Sequence, residues 1–163
     1  MPITVIPVQR FSTISSKPFE EVMAKIESAI GRPDISAFHR DAAAAASYAE
    51  LERVVNKAIG PSGLMEFIRF DVGAVHRKQN ARAPESLRLV AGNPLIMKQM
   101  LEHVPDAGSY APVTILIDER ADGVHLSYDR MASFLGPYQN AAALQVAQDL
   151  DAKVESLLTM AST

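Results

Sequence analysis

Cysteine and tryptophan are both missing from the sequence. Without Cys there is no disulfide, no thiolate nucleophile and no Cys-ligated metal. Aromatics are scarce, with four Tyr and six Phe, which argues against a groove built on stacked rings. There is no basic surplus either: 16 Lys and Arg stand against 19 Asp and Glu, a formal charge of −3. Nucleic-acid binders usually carry a basic footprint, so nucleic-acid binding is disfavoured. The longest apolar run, Ala42 to Ala46, is far below the ~20 residues of a membrane span, so no membrane partner is expected. Met1 to Arg10 lacks the basic start of a secretory signal, and Pro2 and Pro7 interrupt it. With the missing Cys, this leads to the expectation of a cytoplasmic protein. What is present fits a globular chain: 163 residues, 48% hydrophobic and 21% charged. That length suits a single domain over 1–163.

The order of elements follows from periodicity and punctuation. Ile3 to Ile14 reads as a first strand, with Pro7 pushing it toward a sheet edge because Pro donates no ladder hydrogen bond. Ser16 is a candidate N-cap for a helix carrying Phe19, Val22, Met23, Ile26 and Ile30 on one stripe, stopped by Gly31 and Pro33. Residues 32–61 read as a helical insertion in two pieces. Asp34 caps the first, and Ser47 with Glu50 forms a capping box for the second. Leu64 to Val75 and Ser86 to Ala91 read as strands, joined by a polar, basic connection. Gly92-Asn93-Pro94 is a turn, Leu95 to Val104 a short helix. Val113 to Glu119 and Val124 to Tyr128 form a hairpin around Asp122-Gly123. A helical tail, about 131–160, has an irregularity at Gly136-Pro137. This predicts an α+β fold: an antiparallel or mixed sheet of about four to five strands, helices on one face, a helical insertion and a long C-terminal helix.

Several segments together resemble the domain-of-unknown-function 302 family, small bacterial and archaeal α+β proteins. They are Lys17-Pro18-Phe19-Glu20-Glu21-Val22, Phe67 to Asp71, Leu87 to Pro94, Pro112 to Ile117 and Val124 to Asp129. The resemblance covers roughly residues 3–138. It implies an α+β fold and often a homodimer, and it implies no established reaction. Three departures stand out. Val72 follows Asp71 where the family usually has His, Leu95 to Lys98 replaces a small Gly/Thr-containing stretch, and Arg130 interrupts the usual end of the late strand.

Candidate site residues come from strand ends and turns. Asp71 ends an apolar strand, either as a presented carboxylate or as a strand terminator bonded to local backbone. Asn93 either joins a site or holds its turn. Tyr128, Asp129 and His125 lie on the late strand. There His125, Ser127 and Asp129 alternate on one face, ~6–7 Å apart, too far for the contacts of a catalytic triad. His76, Arg77, Lys78 and Arg82 form a basic cluster, a weak anion site or a solvated surface. The four His residues, at 39, 76, 103 and 125, have no metal-ligand spacing, so no metal and no cofactor is expected. In the tail, Ala147, Leu150, Val154, Leu157 and Ala161 follow an a/d spacing over about two heptads. That stripe serves either sheet packing or a share of a dimer interface. The leading expectation is a homodimeric, non-catalytic module binding a small ligand or protein. The alternative is a small cytoplasmic enzyme built around Asp71, Tyr128 and Asp129.

Overall fold

The computed structural model describes residues 3–163; Met1 and Pro2, and with them the start of the Met1–Arg10 segment, lie outside the described residues. The elements are β1 Arg10–Ser15, α1 Phe19–Ala29, α2 Ile35–Ala44, α3 Tyr48–Ala58, β2 Met65–Asp71, α4 Ala74–Gln79 and β3 Ser86–Gly92. They continue with α5 Pro94–Leu101, β4 Val113–Arg120, β5 Gly123–Asp129, α6 Met131–Leu135 and α7 Ala141–Ser162. Single 3-10 turns occupy Pro105–Ser109 and Gly136–Tyr138. The strands form one five-stranded sheet in the order β1-β5-β4-β3-β2, with every neighbouring pair antiparallel. The architecture is α+β.

Alternation along the strands sorts their side chains into two faces. Leu89, Ala91, Ile115, Ile117, Val124 and Leu126 are buried on the covered face, in one core with Val22 and Ile26 of α1 and Leu150, Val154 and Leu157 of α7. Arg10, Ser12, His125, Ser127, Thr114, Leu116, Arg88 and Phe70 have the opposite parity and are exposed or half-buried. They form the open face. The insertion holds a smaller cluster, where Phe38 of α2 and Val55 of α3 bury Met65 at the start of β2. Its two ends meet at one carbonyl: Leu64 O accepts from Gly31 N at 2.8 Å and from Gly60 N at 2.9 Å.

Local capping signals are realised. Asp34 accepts from Ala37 N at 2.8 Å, and Ser47 accepts from Glu50 N at 3.2 Å while Glu50 accepts from Ala46 N at 2.7 Å. Five expectations are corrected. The first strand starts at Arg10, not Ile3, because β5 ends at Asp129 and offers residues 3–8 no partner beyond the Arg130 N to Gln9 O bond. Ser16 caps nothing: α1 begins after Pro18 with no side-chain cap. The strand from Leu64 stops at Asp71, and the basic connection folds partly as α4. The helix after Asn93 ends at Leu101, giving way to a 3-10 turn. The hairpin turns at Ala121-Asp122, pairing Arg120 with Gly123.

That last slip amounts to two residues, so every side chain keeps its expected face. Gly123 has its own reason to be there. Its φ is +136°, and a Cβ would lie 2.4 Å from Ser15 O at the end of β1. The apolar stripe of the tail is also settled: Ala147, Leu150, Val154, Leu157 and Ala161 are all buried within the chain's own core. They are not free to form a dimer interface.

Candidate functional site

Asp71 and Asp129 occupy opposite ends of the sheet. Register places them three strands across and three residues along from each other, ~17 Å by standard sheet spacings. Asp71 is bound by Arg77 of α4, whose guanidinium also donates to Glu85 at 2.8 Å. This ties the end of β2 to the start of β3. Within the basic cluster Arg77 is thereby engaged, while His76, Lys78 and Arg82 stay exposed. His125 lies 2.7 Å from Asp122 across the hairpin turn. The hydrogen bond from His125 holds the Asp122 carboxyl below its ordinary range. Asp129 takes a bidentate pair from Arg10 at 2.6 and 2.9 Å, joining β5 to the edge strand β1.

Asn93 is a cap and a crosslink. Its Oδ1 accepts from Leu95 N at 2.9 Å, starting α5, and its Nδ2 donates to Gly63 O at 3.0 Å. Tyr128 points to the covered side, where its hydroxyl donates to Asp151 Oδ1 at 2.5 Å. Asp151 has no exposed surface. It also accepts from Met131 N at 2.7 Å and Ala132 N at 3.1 Å, and so caps α6 from a distant helix. Burial, reinforced by the Asp151 charge, pushes the Tyr128 phenol far above its ordinary value. The phenol therefore stays protonated as a donor. Arg130 Nε lies 2.8 Å from Glu155 and 3.7 Å from Asp151. Sequence reasoning misses Asp151. Its signal is a carboxylate on the buried stripe of α7, beside Leu150 and one turn before Val154 and Glu155.

Two concavities border the open face. One is a groove of about 550 Å³, lined by Arg10, Arg88, Thr114, Leu116, Ser127 and Asp129, with Tyr110 and Phe134 at its end. Tyr128 borders the same groove. Its walls are mixed, and the Tyr110 and Phe134 rings stack at 4.8 Å between centroids. The other is a pocket of about 310 Å³ with almost entirely apolar walls. Ile35 and His39 of α2, Phe67 and Ile68 of β2, Val90 of β3, Met97 and Met100 of α5, Pro112 and Leu150 surround it.

Two backbone irregularities from separate segments meet at the pocket. β2 carries a bulge between Glu66 and Ile68, which sets Phe67 out of the ladder. Opposite, Gly92 permits a close approach: a Cβ there would lie 3.2 Å from Pro112 Cβ and 3.6 Å from the Phe67 ring. Asn93 borders this pocket, whereas Tyr128 and Asp129 border the groove. Neither Asp71 nor His125 lines either one. Among the described residues no group of three His, Asp or Glu side chains is placed to hold a metal ion. Among them, too, no helix is long and apolar enough to cross a membrane.

Comparison with known proteins points one way. An uncharacterized conserved protein DUF302 from Bacillus stearothermophilus shares the fold, with a TM-score of 0.65 over 93% of this chain and 97% of that one. Their sequences are 12% identical, so the likeness is one of fold. No curated protein matches. The family model for the domain of unknown function DUF302 matches residues 38–161. That match takes in nearly all of α7, which the sequence resemblance does not use, and leaves out β1 and α1. With well over half of its length matched, the chain belongs to the DUF302 family.

Proposed function

We propose that the protein is a non-catalytic binding module, homodimeric, that takes a small ligand in the apolar pocket at the edge of its open face. The pocket itself carries this reading. Ligand sites are typically apolar concavities with few polar groups, starting near ~300 Å³, and this one is about 310 Å³. Met97 and Met100 suit the role, since unbranched thioether side chains adapt to varied shapes. The polar candidates support it from the other side: Asp71, Asn93, Asp129 and His125 are each engaged by a structural partner. The enzyme reading has one observation in its favour, that Tyr128 and Asp129 border one groove. It would need Asp71 to act at the far end of the sheet, and Tyr128 to release a proton its surroundings retain.

A ligand that binds only the folded state raises its melting temperature. Small apolar probes, from benzene to octan-1-ol, are expected to raise the melting temperature of the wild type and to leave Val90→Trp unmoved, since Trp fills the pocket. No shift with any probe overturns the reading. Dimerisation has a separate test. With the α7 stripe buried in the core, the apolar surface left for a second copy includes Val72 and Val75, 46% and 82% exposed. Light scattering across a dilution series is expected to give twice 17.7 kDa, and Val75→Glu to halve it. A constant mass near 17.7 kDa refutes the dimer.

A further inference from the structure

The apolar pocket and the mixed groove adjoin across one cross-strand pair. Val90 lines the pocket, Thr114 lines the groove, and the two are register partners on β3 and β4. Arg88 lies on the same face as Val90, two residues along and ~6–7 Å away, and lines the groove. The groove's other guanidinium, Arg10, is occupied bidentately by Asp129. The ion pairs of β2 and β3 engage Arg69 and Arg77. Arg88 takes part in none of these; its guanidinium lies over the Phe70 ring, 5.7 Å from the centroid. So a forked cation stands on the open face two residues along β3 from the pocket-lining Val90, with Thr114 as the register partner of Val90.

We infer that the pocket takes a medium-chain carboxylate, its hydrocarbon in the apolar cavity and its carboxylate on the Arg88 fork. This rests on the reading of the pocket as a ligand site. A guanidinium matches a carboxylate with two parallel hydrogen bonds, which a neutral head group cannot accept in the same way. A single forked cation suits a single negative charge. The cavity, about 310 Å³, lies at the small end of ligand pockets, and so suits a chain of several carbons rather than a long lipid tail. Thr114 supplies a further donor for the head group.

Isothermal titration with octanoate and octan-1-ol, which share a chain length and differ in head group, tests this. Wild type is expected to bind octanoate at least tenfold tighter than octan-1-ol, and added salt to weaken octanoate alone. Arg88→Met keeps the apolar stem and removes the charge. It is expected to abolish the tenfold preference while leaving octan-1-ol affinity unchanged. Val90→Trp is expected to abolish binding of both. Equal affinity for the two probes in wild type, or a preference that survives Arg88→Met, overturns the carboxylate inference and leaves the pocket reading standing. Failure of both probes to bind wild type overturns the pocket reading and this inference together. Arg88 is an exposed residue on the open face, so loss of octanoate binding with an unchanged circular dichroism melt cannot be assigned to unfolding.

Discussion

The two faces of the sheet are made by the same strands and do opposite work. On the covered face, Leu89, Ile115, Ile117 and Leu126 have no exposed surface, and their apolar area is used within the chain. On the open face, Ile14, Ile68 and Phe70 remain 50%, 48% and 45% exposed among Arg, Ser, Asp and His. An antiparallel sheet can leave one face to solvent, and that face is normally polar. Here it is polar along β5, with His125, Ser127 and Asp129, and apolar along β2, with Ile68 and Phe70. Apolar area that the core does not bury is available to a ligand or partner.

The carboxylates of the two faces should differ most. Asp151 is buried and accepts from Tyr128, Met131 and Ala132. Asp151→Ala leaves the buried Tyr128 hydroxyl without its acceptor, leaves Met131 N only the Tyr128 oxygen, and removes one of the carboxylates beside Arg130. A loss of about 3–5 kcal/mol in urea unfolding is expected. Asp129 makes an exposed pair with Arg10, so Asp129→Asn should cost under about 1 kcal/mol. Comparable losses at both positions would erase the distinction between the faces.

Apolar truncation should give the next contrast. Leu126→Ala on the covered face opens a cavity and is expected to cost about 2–4 kcal/mol. Leu116→Ala on the half-buried open face is expected to cost under about 1.5 kcal/mol by the same measurement. A larger loss at Leu116 would show that the open face is already covered in solution, and would sharpen the case for a partner there.

Alkaline pH should give the smallest effect. The folded-state value of Tyr128 is raised above its ordinary 10.0, chiefly by burial. A group raised in this way contributes stability that is fully present below the unfolded value and lost as pH rises through the folded one. Wild type should therefore lose stability as pH climbs past about 10, and Tyr128→Phe should lose less. Parallel alkaline melting profiles for the two proteins would remove Tyr128 from the buried network of the covered face.

The order of strands and helices, the helical insertion and several helix starts are legible in the residues alone. Asp34, Ser47 with Glu50, and Asn93 each act within four residues of themselves. Face assignment in the hairpin survives a two-residue error because side chains alternate with period two. The candidate site fares differently. Asp71, Asn93, Tyr128, Asp129 and His125 stand out as strand-end and turn residues, and folding distributes them among separate partners. Arg88, which lines the groove where it adjoins the pocket, gives no local signal: it is one charged residue on an alternating strand.

By itself, then, the sequence determined the alternation that splits each strand between two faces, the caps at Asp34 and Ser47, the α+β content and the absence of thiol chemistry. These follow from interactions within a turn of helix or between adjacent residues. Only the tertiary structure decided that β1 closes the sheet beside β5, that Asp151 caps α6 across twenty residues, and that a bulge at Phe67 faces Gly92 and Pro112 to leave a pocket. Each depends on segments far apart in the chain meeting in one register. That choice is made by which packing buries the most apolar area while pairing most buried polar groups.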